Sequence, residues 1–417
     1  MSLHENYLDR IVETKRQLRS DIPDLKQRFA KLTHALEQEV GEILEIQARG
    51  ESPIPQIRAD QLEGATDDFK TLIRQRGCVI VRDVFHPERV ARWNREIDEY
   101  LHENDYLGKR QSRAGLDQYF SELANGKPQI YSVYWSKPQI EARQSQELAG
   151  VRRWLNRLWN FESSEGAESK PIFDPDRECT YADRIRQREP GDRTLGLSPH
   201  IDGGTIERWI EPSYRQIYRH ILRGDISDYR PFDAHYRTEA KEIPSPAVCQ
   251  MFRTYQGWTA LTRQGPGDGT LNLVPIANAM PWVLLRALQD DIAEDDLCGA
   301  KAGRALSIKP EFHDLLLRAF LPIPEVQPGD TVWWHPDLIH GVEDVHGGKQ
   351  YSNVMYIGAA PDCDKNRAFQ LRQRQAFEQG KSCPDFAPED YEVEFKDRAT
   401  TSELSTLGRI QMGYDAR

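Results

Sequence analysis

A histidine and an aspartate stand two positions apart in "SPHIDGG", as His200 and Asp202, between Pro199 and the Gly203-Gly204 pair. Imidazole and carboxylate are both ligands for first-row metals, so the tripeptide can be half of a metal site. It can equally close a polar turn in which the aspartate bonds its own backbone. A third donor has to decide. His335, His340 and His346 compete for that role in "DTVWWHPDLIHGVEDVHGG". His335 lies between Trp334 and a proline, as a packed strand end does. His346 adjoins the turn glycines Gly347-Gly348 and is expected in solvent. His340 follows the Gly329-Asp330 strand and precedes Gly341, so it is the expected partner. Two histidines and one carboxylate compose a facial triad, which leaves adjacent positions open on Fe(II) for a co-substrate and O₂.

Strands must carry these donors. Alternating or continuous β-formers bounded by Gly, Pro and Asp predict strands in "TYADRIRQR", "AVCQMFRTYQGWTALT", "GTLNLVP", "DTVWWHP" and "YSNVMYIGAA". Gly347-Gly348 reads as a hairpin turn into the last of them. Ahead of the strands, residues 1–50 read as a long helix. Ile22, Leu25, Phe29, Leu32, Leu36, Val40 and Ile43 form its apolar stripe, with Ser20 or Asp21 as cap and Pro23 in the first turn. The stripe spans only about three heptads, which favours packing on the main domain over a free coiled coil. Residues 51–62 read as a linker. A helix, the strand "GCVIVRDVF" and a helix opened by Pro87 follow, with Val90, Trp93, Ile97, Tyr100 and Leu101 on one face. Residues 104–180 are mixed. An aromatic, charged insertion near 210–245 and a helical segment near 276–320 interrupt the strands, and 362–417 is a helical and irregular extension. The main domain therefore spans 63–361.

The 417 residues are 38% hydrophobic and 29% charged, the balance of a folded chain. A net charge of −11 gives no basic patch for nucleic acid or an anionic membrane. Six scattered cysteines without a CxxC pair argue against a disulfide framework or zinc ribbon. No apolar leader or span of roughly 18 residues is present. A cytoplasmic protein acting on a small-molecule substrate is the expectation, with homo-oligomerisation through the N-terminal helices an open option.

The series "GWTALTRQGPGDGTLNLVP" and "PGDTVWWHPDLIHG" after H-x-D resembles the Fe(II)/2-oxoglutarate-dependent oxygenases. The phytanoyl-CoA-hydroxylase-like branch is the nearest in pattern, and within it a bacterial and fungal family of unknown function. The likeness covers roughly 67–361. It implies a mostly β core, a double-stranded β-helix (jelly-roll, cupin-like) barrel flanked by α-helices. It also implies Fe(II) on His200, Asp202 and His340, with 2-oxoglutarate as co-substrate and succinate and CO₂ as products. Asp202 favours hydroxylation over halogenation, which needs that position vacant for chloride.

The far carboxylate of 2-oxoglutarate needs a buried cation and usually a hydroxyl. Relatives often place an arginine nine to fourteen residues after the distal histidine, where this chain has none. Lys349 with Ser352 is the nearest match, although strand alternation puts the two on opposite faces without a bulge. Arg253, amid apolar residues, competes with Lys349. Arg184, Arg186 and Arg188 alternate along one face and come next. The missing arginine keeps two alternatives open. One is a cupin-type metal enzyme that uses no oxo-acid. The other is a non-catalytic binding protein on the same fold.

Overall fold

Fourteen strands form among the described residues, most of them on short runs of β-branched and aromatic residues cut by Gly, Pro and Asp. They are β1 (Gln56–Arg58), β2 (Cys78–Arg82), β3 (Ile130–Tyr131), β4 (Asp174–Glu178), β5 (Ile185–Arg188), β6 (His200–Ile201) and β7 (Tyr255–Ala260). The rest are β8 (Leu271–Leu273), β9 (Leu306–Ser307), β10 (Leu321–Pro322), β11 (Thr331–Trp334), β12 (His340–Val342), β13 (Ser352–Ala359) and β14 (Pro361–Asp362). The structure, a computed structural model, describes residues 5–112, 128–162, 171–194, 198–246 and 248–415. Parts of the mixed 104–180 region, 113–127 and 163–170, lie outside the described residues.

Two sheets hold the site. One has seven strands in the order β1-β2-β11-β7-β13-β5-β3, the other five in the order β10-β8-β12-β6-β9. Strand alternation divides the seven-stranded sheet into two faces. Ile80, Val332, Trp334, Trp258, Ala260 and Val354 pack with Leu271 and Leu273 of the five-stranded sheet. Val79, Val81, Trp333, Met355 and Ile357 point the other way. Each fully buried aliphatic side chain here contributes roughly 1.5–3 kcal/mol. Gly257 is required between the layers. A Cβ there would stand 2.6 Å from the Val332 carbonyl oxygen and 2.8 Å from the Trp333 ring. The expected closed barrel is not formed. Each sheet ends on short edge strands, and the protein is mixed α/β with two facing sheets. The five-stranded sheet has strands of two or three residues, too short to wrap a full barrel.

Helices cover both outer faces. Helix α1 (Leu8–Asp21) and helix α2 (Leu25–Ala48) replace the single expected helix, because Pro23 lies in the break between them. Ser20 and Asp21 therefore end α1 and cap nothing, while Asp24 precedes α2 in the left-handed region. The apolar stripe is buried against the chain itself. Leu36, Val40 and Ile43 join Trp209, Tyr218 and Ile221 of the insertion and Met280, Leu284 and Leu285 in one core. The buried Lys15 ammonium donates to the Ala293 and Asp296 carbonyls at 2.6 and 2.7 Å, fixing α1 to the 276–320 segment. The expected linker contains β1, which pairs in parallel with β2. Helix α3 (Asp67–Arg76) starts on the Thr66 hydroxyl, which accepts from the Phe69 N–H at 3.2 Å, and stops at Gly77 with φ 71°. Helix α4 (Pro87–Glu103) buries the expected Val90, Trp93, Ile97, Tyr100 and Leu101. The insertion folds as helices Pro212–Ile217 and Arg219–Arg223 with short 3₁₀ turns. No helix among the described residues is long and apolar enough to cross a membrane.

Candidate metal centre

Non-local pairing assembles the triad. β6 and β12 are antiparallel neighbours, and His340 is registered directly opposite His200. Asp202 follows β6, after which Gly203 and Gly204 take φ values of 79° and 111° and turn the chain away. His200 Nε2 lies 3.4 Å from one Asp202 carboxylate oxygen, and His340 Nε2 lies 3.5 Å from the other. The three donor atoms fall within 4.8 Å of one another, the only such group of three found among the described residues. Donors at right angles around a first-row ion with bonds of ~2.1 Å stand about 3 Å apart, so a small contraction seats a metal.

The surroundings favour that use. His200 Nδ1 meets the Ser198 carbonyl at 2.6 Å, and His340 Nδ1 meets the Leu338 carbonyl at 3.0 Å. With a metal bound, a proton on each Nδ1 would donate to its carbonyl and leave both Nε2 lone pairs free for the ion. Gln256 donates to the Asp202 carboxylate at 3.0 Å, while its own oxygen accepts from the Trp334 indole at 2.6 Å. The carboxylate is thus held by side chains from the facing sheet, and the polar-turn alternative does not arise. Burial works to raise the Asp202 carboxyl, but hydrogen bonds to both imidazoles outweigh it and hold it well below its ordinary range. Burial followed by the neighbouring His200 lowers His340.

The competing histidines do other work. His335 is fully buried, stacks on Trp159 at 4.9 Å and is pushed down to about 3 by burial. His346, expected in solvent, is buried instead, because its Nδ1 accepts the Gly348 N–H at 3.1 Å and pulls the ring under the turn.

The triad opens into a cavity of about 600 Å³ between the sheets, walled by Trp258, Leu271 and Trp334 and by Arg186, Arg253 and Tyr356. Lys349 does not reach it. β13 begins only at Ser352, so Lys349 sits in the exposed turn before the strand. No bulge turns it inward, and the lysine is not among the residues lining the cavity, contrary to expectation. Ser352 is buried and donates to the Gln264 side-chain oxygen at 2.7 Å. Arg186, across from Val354 in the register of β5 and β13, donates to the same oxygen at 3.3 Å. Its Nε is buried with no hydrogen-bond partner, and no carboxylate among the described residues pairs with it. Burial lowers its pKa, the mark of a guanidinium lacking a counter-ion. Arg188 is occupied by the carbonyls of Gly269, Glu343 and Asp192, and Arg184 faces Asp183 at 3.5 Å.

Asp337, which flanks His340 and has no role expected from sequence, is the centre of a buried ion group. Asp337 is buried between Arg208 at 2.8 Å and Arg237 at 2.9 Å, and accepts from the Tyr218 hydroxyl at 2.9 Å. Arg208 also donates to the Asp202 carbonyl at 2.8 Å, so one side chain ties the H-x-D loop to the segment leading into His340. The only hint in the sequence was an aspartate three residues before the distal ligand. Its partners lie in and just before the insertion, about 100 residues or more away.

Two facing sheets with a His₂–carboxylate triad in the cavity between them define the class: a mixed α/β protein with one candidate metal centre. The Gig2-like family pattern matches residues 5–414, and the chain belongs to the Gig2-like family. It is 39% identical over 409 residues to the uncharacterized protein YbiU of Escherichia coli K12, covering 97% of this chain and 96% of that protein. The crystal structure of a candidate oxidoreductase from Salmonella typhimurium LT2 is similar, with TM-score 0.90 at 38% identity over 97% of this chain and 96% of that one. So is that of GlcNAc Inducible Gene 2 (DUF1479) from Candida albicans, with TM-score 0.79 at 26% identity, covering 97% and 89%.

Proposed function

We propose that this chain is an oxidoreductase, an Fe(II)- and 2-oxoglutarate-dependent oxygenase that hydroxylates a C–H bond of a small molecule. The observation that carries the reading is one cavity holding both a His₂–carboxylate triad and a buried arginine with no counter-ion. The similar Salmonella protein, described as a candidate oxidoreductase, supports the broader class. On this reading the two sheets are an open, elaborated double-stranded β-helix.

His200, Asp202 and His340 would hold the ion. One carboxylate leaves a ferrous site at net +1, suited to an anionic chelator. When bound, iron with 2-oxoglutarate and O₂ supplies the oxidation: one oxygen atom goes to the substrate carbon, the other to succinate, and CO₂ leaves. The protein positions and shields. The two Nδ1–carbonyl bonds fix the imidazole tautomers, and Gln256 orients the Asp202 carboxylate. Arg186 would receive the far carboxylate of 2-oxoglutarate, taking over the role expected of Lys349. The Ser352 and Thr270 hydroxyls, which share the Gln264 oxygen with it, would hold that guanidinium in place. Trp258, Leu271 and Trp334 keep bulk water from the reacting groups.

The test is succinate release. With Fe(II), ascorbate and 2-oxoglutarate, wild-type protein should release succinate above a metal-only blank, and His340→Ala should abolish it. Equal succinate from both proteins would refute the site. No succinate from a protein that still binds metal would favour the cupin-type alternative, which the lack of a cation on β13 keeps in view.

A further inference from the structure

The cavity is cationic inside an acidic protein. The chain carries 66 acidic and 55 basic residues. The cavity reverses the sign, with Arg184, Arg186, Arg253, Lys301, Arg304 and Lys309 on its walls against only Asp183 and Asp202. A divalent metal and a doubly charged oxo-acid cancel each other, so binding both does not change the cationic sign of the lining. Charge of one sign gathered in a low-dielectric cleft selects ligands of the other.

Arg253 stands out among the lining arginines by its geometry: Asp202 and Asp183 act on its charge from a distance, but neither bonds it. It is 7% exposed and lines the cavity. Its guanidinium lies over the Tyr181 ring at 4.9 Å, and none of its N–H groups donates a hydrogen bond within the described residues. No carboxylate pairs with it there, whereas Arg184 faces Asp183 at 3.5 Å and Lys309 faces Glu311 at 3.7 Å. Room has been left for it: a Cβ on Gly358 would stand 3.1 Å from Arg253 Cδ. A buried guanidinium that satisfies none of its five donors is costly without a ligand. One such arginine suits the oxo-acid. The second has no use in that reaction.

We infer that Arg253 is the substrate anchor, and that the substrate is an acidic small molecule carrying a carboxylate or phosphate group. The inference rests on the oxygenase reading only in giving Arg186 to the oxo-acid. A planar guanidinium over an aromatic ring offers two parallel N–H groups to an oxyanion, which fixes both the position and the orientation of the molecule.

The test uses full-length protein loaded anaerobically with Mn(II) and saturating 2-oxoglutarate. Inorganic phosphate and acetate are titrated separately, followed by calorimetry and by the fluorescence of the cavity tryptophans. At least one anion should bind saturably on top of 2-oxoglutarate, and which one does separates a phosphorylated from a carboxylic substrate. Arg253→Gln should weaken that anion tenfold or more with 2-oxoglutarate affinity nearly unchanged, while Arg186→Gln should do the reverse. Arg253→Lys, which keeps the charge and loses the fork, should weaken it several-fold and decides the matter if the glutamine variant does not fold. Binding of neither anion, unchanged binding in Arg253→Lys, or loss of 2-oxoglutarate in Arg253→Gln would each overturn the assignment. If 2-oxoglutarate fails to bind while an added anion still depends on Arg253, the oxygenase reading falls and this inference stands.

Discussion

Asp337→Asn strikes the ion group that joins the two halves of the triad. The carboxylate is buried and touches Arg208, Arg237 and Tyr218 within 2.9 Å. Burial alone would raise its pKa, but Arg237 and Arg208 outweigh this and keep it charged. Removing one charge from such a group strands the other two, at a cost of roughly 3–5 kcal/mol. An unfolding entropy of about 2.1 cal/mol/K per residue gives ~0.9 kcal/mol/K for the 417-residue chain. Cooperative unfolding should therefore shift Tm down by about 3–6 °C, read by scanning calorimetry. Coupling is the sharper readout. Arg237→Met should cost at least about 1 kcal/mol less in a chain that already carries Asp337→Asn than in wild type, because its partner is already gone. Metal affinity should fall as well, since Arg208 also holds the Asp202 carbonyl. A Tm change under about 1 °C, or additive costs in the cycle, would refute the claim that Asp337 organises the site.

Further outcomes follow from the same geometry. Arg186→Gln should raise the 2-oxoglutarate requirement about tenfold or more in the succinate assay, while Lys349→Ala, at an exposed turn, should leave it unchanged. His200→Ala should abolish Mn(II) binding in calorimetry while leaving the far-UV circular dichroism intact. Burial raises Glu392 to about 7, even though it accepts from the Tyr134 and Trp135 N–H groups and the Tyr100 hydroxyl. Glu178 and Asp385, also buried, are raised to about 7 too. A carboxyl with a raised folded pKa binds its proton more tightly when folded. Its stabilisation is therefore full below the ordinary carboxylate range and is lost as pH rises through about 7. Tm should rise between about pH 8 and about pH 6, and Glu392→Gln should flatten part of that slope.

The triad was legible because its donors are rare types at telling positions: His200 and Asp202 two apart, and His340 between a Gly-Asp strand and a glycine. The helices flanking β2 were legible from Gly77, Pro87 and one apolar face. What escaped depends on neighbours across strands. On the proposed reading, Arg186 would take the place where relatives put an arginine on the strand after the distal histidine, but from β5, the strand registered beside β13. Pairing between residues about 170 apart leaves no trace in a single chain. Lys349 was misplaced for a local reason, since β13 starts at Ser352 and leaves Lys349 in the exposed turn before it. The same non-locality hid the contact of Gln256 with Asp202 and the arginine partners of Asp337, which come from distant segments. One helix became two because Pro23 lies between α1 and α2. The expected barrel became two open sheets because the strands of the five-stranded sheet are only two or three residues long, shorter than the runs that read as strands.

The central claim, that His200, Asp202 and His340 hold iron together with an oxo-acid, can be read optically. Wild-type protein is titrated with Fe(II) under anaerobic conditions, and 2-oxoglutarate is then added. A visible metal-to-ligand charge-transfer absorption should appear only when protein, iron and 2-oxoglutarate are all present, saturate at one iron per chain, and be lost in His340→Ala. No absorption from wild-type protein that has demonstrably bound one iron, or an equal absorption from the His340→Ala variant, would contradict the account.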